Sequence, residues 1–219
     1  SNFGEGWGVW PPTGNFYEPY SIVLDDGSNK FYIVDSYKYR VIRFDSGSGG
    51  TALGANYETF GVLGTGTGQF TDPYGVVVDN TNNKAYVAES GNSRIVRFHS
   101  RDGGTTLGAN WQTFGSSGSG TNYFDTPRGV SVDAANSKLY VADTNNSRLI
   151  RIDSGTGGTT LGANWQKYGS DGTGTGNFDA PNGLVFDAAN NKVFVSDTYN
   201  SRVVCVDSGT GGTTFGANW

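Results

Sequence analysis

Acidic and basic residues recur in pairs along the chain, with four residues between the members of each pair. Each pair lies 54 residues after the previous one. The acidic members are Asp35, Glu89, Asp143 and Asp197, and the basic members are Arg40, Arg94, Arg148 and Arg202. Across a four-residue hairpin loop the two positions face each other, so we predict an arginine–carboxylate ion pair that holds each hairpin. The alternative is a ring of four carboxylates around a cation, but calcium needs six to eight oxygens and carboxylates bound to arginine are poor ligands.

Two residues interrupt the repeat and are the obvious candidates for catalysis. His99 occupies a position that is aspartate in the other copies, and Cys205 occupies one that is arginine. A metal site or an activated nucleophile needs partner residues, and neither residue has a second His or Cys near it in the sequence. A single cysteine cannot form an internal disulfide, and lone thiols are usually buried and inert. We therefore predict no catalytic residue, no cofactor and no metal site.

Two other repeated positions have structural explanations. One is an aspartate that precedes a short turn and is expected to cap it; its copies are Asp25, Asp79, Asp133 and Asp187. The other is a large aromatic residue near the end of each unit, with copies at Tyr57, Trp111, Trp165 and Trp219. A lectin would repeat its sugar-binding aromatic residues in this way, but aromatic packing between units is the simpler interpretation.

The composition excludes several classes of partner. The 219 residues carry a formal net charge of −5, and the many glycines favour short strands and tight turns over long helices. An acidic chain is not expected to bind nucleic acid, and no apolar run is long enough to cross a membrane or to serve as a signal peptide. Abundant Gly, Asn, Thr and Tyr, with a glycosylation sequon at Asn145, favour an extracellular or cell-surface location.

Each 54-residue unit contains four short strand signals in a fixed order. In the second unit they are YGVVVD, KAYVAES, SRIVRF and NWQTFG. The first is apolar at every position, which suits a strand covered on both faces. Four-residue connections rich in Asn, Gly and Ser join the second strand to the third and predict hairpins.

Four antiparallel strands repeated at this period predict an all-β protein, a four-bladed β-propeller with four-stranded blades. The last unit stops inside its fourth strand, and Ser1–Gly4 resemble the missing residues. We therefore expect the N-terminal segment to complete that strand and to seal the ring, which would remove an open edge. The predicted bounds within the single domain 1–219 are 1–14 for the closing strand and linker, 15–61, 69–115 and 123–169 for the first three blades, and 177–219 with 1–4 for the fourth.

The repeated segments resemble NHL repeats. The stretches PYGVVVDNTNNKAYVAESGNSRIVRF (residues 73–98) and PRGVSVDAANSKLYVADTNNSRLIRID (residues 127–153) follow the pattern P-x-G-h-x-h-D, a turn, and h-Y-V-A-D-x-x-N-x-R-h-x-x-F. The likeness covers the first three strands of all four units. It departs in the longer segment after the third strand and in the number of blades, since NHL propellers commonly have six. The resemblance implies a propeller that binds other molecules on one face.

The residue after the repeated proline varies between units, and in a propeller this position lies at the mouth of the axial channel. The four copies are Tyr20, Tyr74, Arg128 and Asn182. The hairpin loops also vary and should lie on the same face, where the candidates are Tyr37, Lys38, Tyr39 and Tyr199. Exposed aromatic and arginine side chains are typical anchors of interfaces. Trp7 and Trp10 lie in an insertion without counterpart, and either latch the seam or form an aromatic patch for a partner.

These observations favour a non-enzymatic binding or structural propeller that recognises protein or glycan at the channel mouth. Two alternatives remain. One is a subunit of a head-to-tail extracellular assembly, formed through the terminal seam. The other is a metal-dependent hydrolase or lyase, since some propellers similar in fold are enzymes with a metal at the axis.

Overall fold

The computed structural model describes residues 16–100 and 106–219. They form a four-bladed β-propeller of antiparallel sheets. The strands of the first blade are β1 (Pro19–Asp25), β2 (Lys30–Asp35), β3 (Arg40–Asp45) and β4 (Glu58–Phe60), followed by a parallel pair in the linker, β5 (Val62–Leu63) and β6 (Gln69–Phe70). The second blade has β7 (Pro73–Asp79), β8 (Lys84–Glu89), β9 (Arg94–His99) and β10 (Gln112–Phe114). The third has β11 (Pro127–Asp133), β12 (Lys138–Asp143), β13 (Arg148–Asp153) and β14 (Gln166–Tyr168), and the fourth has β15 (Pro181–Asp187), β16 (Lys192–Asp197) and β17 (Arg202–Asp207).

The middle strands are apolar at successive positions because both of their faces are covered by other blades. In β8, Ala85 and Val87 belong to the core between the first and second blades, whereas Tyr86 and Ala88 belong to the core between the second and third. Side chains alternate between the faces of a strand, so one strand serves two cores.

The innermost strands β1, β7, β11 and β15 stand side by side around the axis, each in contact with the next. Two glycines make this approach possible. A Cβ atom on Gly75 would lie 2.2 Å from the carbonyl oxygen of Arg128, and one on Gly129 would lie 2.2 Å from the carbonyl oxygen of Asn182. No side chain fits at these distances, so the repeated glycine sets the spacing of neighbouring blades.

Polar contacts join each blade to the next. The Tyr86 hydroxyl donates to the carbonyl of Ser154 at 3.1 Å, and the Tyr140 hydroxyl donates to the carbonyl of Ser208 at 3.1 Å. Arg151 Nη1 donates to the same Ser208 carbonyl at 3.1 Å. In these tyrosine and arginine contacts the preceding blade supplies the donors and the following blade supplies the acceptors, because every copy has the same orientation. Backbone N–H groups of Val76 and Phe186 donate in the opposite direction, to Ser21 Oγ and Ser131 Oγ of the preceding blade.

The last blade departs from this pattern. Phe194 and Cys205 stand where the earlier blades carry the donor tyrosine and arginine. On the face of the fourth blade that points away from the third, Val203 is 72% exposed and Phe194 is 36% exposed. The equivalent residues of the third blade, Leu149 and Tyr140, are each 1% exposed. We call Val185, Phe194 and Val203 the trailing face.

The first blade has exposed apolar residues on the corresponding side of its innermost strand only, since Ile33, Ile42 and Phe44 on the same side of β2 and β3 are buried. Ile22 and Leu24 are exposed on β1, on the side of the blade opposite the second blade, and we call this pair the leading face. A Cβ atom on Gly183 would meet Ser196 of its own blade at 3.4 Å, and no residue of the first blade lies within 4 Å of it. The described residues therefore do not form the sealed ring that the repeat predicts.

The predicted closing strand cannot be judged from these residues. Ser1–Gly4 lie outside the described part of the chain. Within that part, the sheet of the fourth blade has three strands and ends at β17.

Candidate binding face

The residues that vary between blades, which follow the repeated proline or belong to the hairpin loops, lie at one end of the propeller. The first residue of each innermost strand pairs with the last residue of the second strand, as in Pro19 with Asp35 and Pro127 with Asp143. The hairpin loop that follows the second strand therefore lies at the same end as the start of the first. This geometry is what places the residue after each proline beside the axis.

The structure brings the four predicted channel-mouth residues around one cavity of about 470 Å³, whose lining includes Tyr20, Tyr74, Arg128 and Asn182. The rings of Tyr20 and Tyr74 stack with their centroids 4.5 Å apart and 15° between their planes. The Arg128 guanidinium carbon lies 4.9 Å from the centroid of Tyr74. Two aromatic rings and a cation thus form a continuous surface across three blades.

Electrostatics at this mouth are mixed. The Tyr20 hydroxyl lies 3.5 Å from Glu18 Oε2, and the nearby negative charge of Glu18 raises the pKa of Tyr20. The rest of the cavity lining mixes apolar side chains such as Ile22, Leu184 and Val185 with the polar side chains of Ser21 and Ser131. The site can hold a ligand with an apolar body and a polar end.

The hairpin loops carry a second aromatic cluster that sequence reasoning only partly found. The Tyr37 ring packs against the Tyr17 ring at a tilt of 34° with centroids 4.4 Å apart, and its centroid lies 6.3 Å from that of Tyr39. Tyr17 was missed because it belongs to the segment before β1, and no periodic signal marked it. Lys38 lies in the same loop, in the 3-10 turn Ser36–Lys38.

The fourth loop candidate lies elsewhere on this end. Tyr199 is exposed and lines a groove between the hairpin loops of the third and fourth blades, together with Asn145. The Asn145 side chain is exposed, and its Nδ2 donates to Asp125 Oδ1 at 3.1 Å and Thr126 Oγ1 at 2.9 Å. Trp7 and Trp10 lie outside the described residues.

All four predicted arginine–carboxylate pairs are present, at the ends of the hairpins. Arg148 Nε donates to Asp143 Oδ2 at 2.7 Å, and the other carboxylate oxygen accepts the backbone N–H of Asp125 at 2.7 Å. The remaining pairs are Asp35 with Arg40, Glu89 with Arg94 and Asp197 with Arg202. Burial raises the pKa of Asp143 and of Glu89. These carboxylates hold a loop and an arginine, so both oxygens are engaged.

The other repeated positions also make structural contacts. Asp133 Oδ1 accepts the backbone N–H of Asn136 at 3.0 Å and so caps its turn, and Asp25, Asp79 and Asp187 accept the equivalent bonds. Trp111 packs against Phe70 and Phe98 in the core between the first two blades. Trp165 and Trp219 pack against the next two cores in the same way, whereas Tyr57 is 38% exposed.

The two residues that interrupt the repeat, His99 and Cys205, are not among the residues that line the channel-mouth cavity. His99 Nε2 is 2.8 Å from Asn110 Nδ2, and burial with the charges of Lys84 and Arg97 lowers its pKa. Cys205 is a half-buried free thiol. In residues 16–100 and 106–219, no group of three or more His, Cys, Asp or Glu side chains is arranged to hold a metal ion. The same residues contain no helix with the length and apolarity needed to span a bilayer.

Comparison with known proteins supports the repeat assignment. The NHL repeat model matches residues 70–98, 124–152 and 178–206, which are the first three strands of the second, third and fourth blades with the phenylalanine that precedes them. The likeness expected in the first blade is outside these matches. A curated relative, protein SUPPRESSOR OF QUENCHING 1, chloroplastic, of Arabidopsis thaliana, is 25% identical over 212 residues. The match covers 88% of this chain and 20% of that protein.

Solved structures share the fold at low identity. A nidogen/laminin complex matches with a TM-score of 0.65 and 18% identity, over 89% of this chain and 62% of that chain. An auxiliary nutrient binding protein from Bacteroides thetaiotaomicron matches with a TM-score of 0.62 and 15% identity, over 84% and 46%. A catalytically inactive virginiamycin B lyase from Staphylococcus aureus matches with a TM-score of 0.53 and 13% identity, over 88% and 56%.

These structures include binding proteins and an enzyme, so they establish the architecture and leave the activity open. The chain spans about half to three fifths of the structures it resembles. With the repeat model matched in three blades and four sheets around one axis, the chain is a four-bladed β-propeller whose second, third and fourth blades contain NHL repeats.

Proposed function

We propose that this propeller is a binding protein that recognises a protein or glycan ligand at the channel mouth. The observation that carries the proposal is the surface formed by Tyr20, Tyr74 and Arg128, two tyrosines and an arginine at copies of one repeat position that meet around a cavity. A repeat position under purely structural constraint would keep one residue type. Aromatic rings with an arginine are favoured contacts for proteins and sugars alike.

The test compares ligand capture by matched variants. Protein arrays and glycan arrays are probed with the native protein, with the double variant Tyr20→Ala/Tyr74→Ala, and with Tyr123→Ala as control. Tyr123 is an exposed tyrosine of the linker before the third blade and does not line the cavity. We expect a ligand that the native protein and the control retain and the double variant loses. Equal capture by all three, or no ligand together with turnover of a substrate, would overturn the proposal.

An extracellular or cell-surface location is part of this proposal. It is supported by the sparsely charged, Asn-rich composition and by the exposed Asn145 of a glycosylation sequon. Expression through a eukaryotic secretory pathway should give a product whose mass falls on treatment with an N-glycosidase. Asn145→Gln should abolish that change, and an unchanged mass of the native product would count against glycosylation.

A second candidate function is head-to-tail assembly, and the uncovered faces favour it. In the three internal interfaces, the residues equivalent to the trailing face pack against the following blade. The residues equivalent to the leading face pack against the preceding blade. The two faces of different copies are therefore complementary in type. Exposed apolar patches of this kind are typical of interaction surfaces.

Light scattering after size exclusion tests the assembly. A monomer has a mass of 23.2 kDa, and we expect the native protein to form larger particles. Val203→Asp should give monomers because it places a charge in the trailing face. Val62→Asp is the control, since Val62 is an exposed valine of the first linker. A native protein that stays monomeric over a wide concentration range would end this candidate.

A further inference from the structure

The channel mouth contains a cation without a partner. Arg128 Nε is buried and donates to no acceptor, and Arg128 forms no ion pair within residues 16–100 and 106–219. In contrast, Arg148 in the same blade donates to a carboxylate and to three carbonyl groups. Leaving a charged donor out of water and unpaired costs free energy, so the arginine gains from any anion that reaches it.

The surroundings of Arg128 restrict the charge of that anion. Arg128 is the one cationic residue among the described residues that line the cavity, and the chain has a net charge of −5. A phosphate monoester carries nearly two negative charges at neutral pH and is usually met by several cationic groups or backbone N–H groups. A single guanidinium on an acidic protein suits a single negative charge, and a carboxylate matches its planar donors.

The cavity also restricts the rest of the ligand. The guanidinium rests on the Tyr74 ring, which stacks on Tyr20, so the ring surface continues from the cation to the cavity edge. Ile22 and Val185, both more than half exposed, and the half-buried Leu184 also line the cavity. An apolar group of the ligand can therefore lie against these side chains while its charged end meets Arg128.

We propose that Arg128 is the anchor for a carboxylate joined to an apolar body, such as a free organic acid or the C terminus of a peptide that ends in an apolar residue. This inference rests on the proposed binding function and specifies the chemistry of its ligand. The Tyr74 ring orients the guanidinium, and Asn182 on the following blade offers a further amide at the same rim.

Two pairs of probes test the inference, each differing in one charge. They are 4-phenylbutyrate with 4-phenylbutyramide, and acetyl-Gly-Phe with a free C terminus or with a C-terminal amide. Binding is measured by chemical-shift perturbation in NMR. We expect saturable binding of the acids, and at least about tenfold weaker binding of the amides, which corresponds to about 1.4 kcal/mol. If only one acid binds, the source of the carboxylate is identified.

Variants assign the effect to Arg128. Arg128→Gln should weaken acid binding about tenfold, a loss of the size expected for a hydrogen bond to a charged group. Lys167→Gln removes a positive charge from the outer strand of the same blade and should leave binding unchanged. Thermal unfolding of each variant confirms that it is folded. Equal binding of acid and amide, no saturation by any probe, or unchanged binding by Arg128→Gln would overturn the inference.

These outcomes are separable from failure of the proposed function. If the arrays return a ligand that depends on Tyr20 and Tyr74 but the acids do not bind, the mouth is a binding site and only the carboxylate assignment falls. If the arrays return nothing but the acids bind through Arg128, the site takes small molecules instead of protein or glycan.

Discussion

Arg148 is the most enclosed arginine of the four hairpin ion pairs. Its guanidinium donates to the buried Asp143 and to the carbonyls of Ser119, Gly120 and Tyr123, and it lies 5.6 Å from the ring centroid of Trp165. One side chain thus joins a hairpin, the linker before its blade and an aromatic residue of the core. Removing it would leave a buried carboxylate without its cation.

We expect Arg148→Ala to lower the free energy of unfolding by about 3–5 kcal/mol, the usual cost of breaking a buried ion pair by deleting one partner. Denaturant unfolding followed by tyrosine and tryptophan fluorescence measures the loss. Lys167→Ala, an exposed change in the same blade, should stay within about 0.5 kcal/mol of the native protein. A loss for Arg148→Ala as small as that of the control would contradict the role assigned to the pair.

His99 leaves one lysine without its usual carboxylate. In the other blades Lys30, Lys138 and Lys192 pair with an aspartate at the end of the third strand. Burial and the charge of Arg97 lower the pKa of Lys84, which faces His99. We expect His99→Asp to raise the free energy of unfolding at pH 7 by about 0.5–1 kcal/mol, the value of a partly exposed ion pair. Denaturant titration measures it, and a decrease would show that histidine is preferred there.

The same residue predicts a dependence on pH. Because burial and neighbouring cations lower the pKa of His99 in the folded state, the unfolded chain binds the proton more readily. The stability that the neutral ring permits is therefore lost as pH falls below about 6.5, the pKa of an unperturbed histidine. Between pH 7.5 and 5.5 the native protein should lose more stability than His99→Asn. Parallel pH profiles for the two proteins would exclude this effect.

At the scale of strands and sheets, much of the architecture follows from sequence. The 54-residue period, the four-residue hairpin loops and the proline at the start of each innermost strand predict the order of strands correctly. The uncovered faces were not predicted. Val185 and Val203 are apolar residues of the kind expected in a covered interface, so their type gave no sign that they are exposed. One sequence feature could have indicated the trailing face: Phe194 and Cys205 replace the tyrosine and arginine that donate to the next blade in the second and third copies.

The repeated glycine of the innermost strand gives a matched test of these faces. A Cβ atom at position 129 would lie 2.2 Å from a carbonyl oxygen of the fourth blade, whereas one at position 183 meets only ordinary contacts. We expect Gly129→Ala to destabilise the protein by about 1–3 kcal/mol, because the inserted carbon has no room. Gly183→Ala should be nearly neutral. Similar losses for both would indicate that a blade covers the fourth one in solution.

Some residues of the candidate site could likewise be predicted from the sequence, and others could not. Tyr20, Tyr74 and Arg128 were found from the sequence because the position after each proline varies between units, whereas the proline itself does not. The contact between Tyr17 and Tyr37 could not be predicted from the sequence, since it depends on how the segment before β1 lies beside the first hairpin loop. Tertiary packing sets that position, and no repeated residue in the sequence indicates it.

At the scale of the whole molecule, the blades differ in how many neighbours protect them. The second and third blades have both faces covered, whereas Phe194 and Val203 leave one face of the fourth blade open to solvent. In the first blade Ile22 and Leu24 of β1 are exposed on the corresponding side, whereas Ile33, Ile42 and Phe44 are buried there. Local opening is easier where fewer apolar contacts must be broken. We expect backbone amides of β16 and β17 to exchange with deuterium faster than those of β12 and β13. Mass spectrometry of peptides after timed labelling measures this, and equal protection would argue that the trailing face is covered.

The tyrosine and arginine hydrogen bonds run from each blade to the following one, and this direction determines which repeat units can be duplicated. A copy that carries the donor tyrosine and arginine on one side and the serine carbonyl on the other can be duplicated in frame, because each new junction reproduces an existing one. The fourth copy lacks both donors, so moving it to an interior position would create a junction without them. Duplication of the second or third unit is thus structurally permitted, whereas the fourth unit cannot offer these two donors to a blade that follows it.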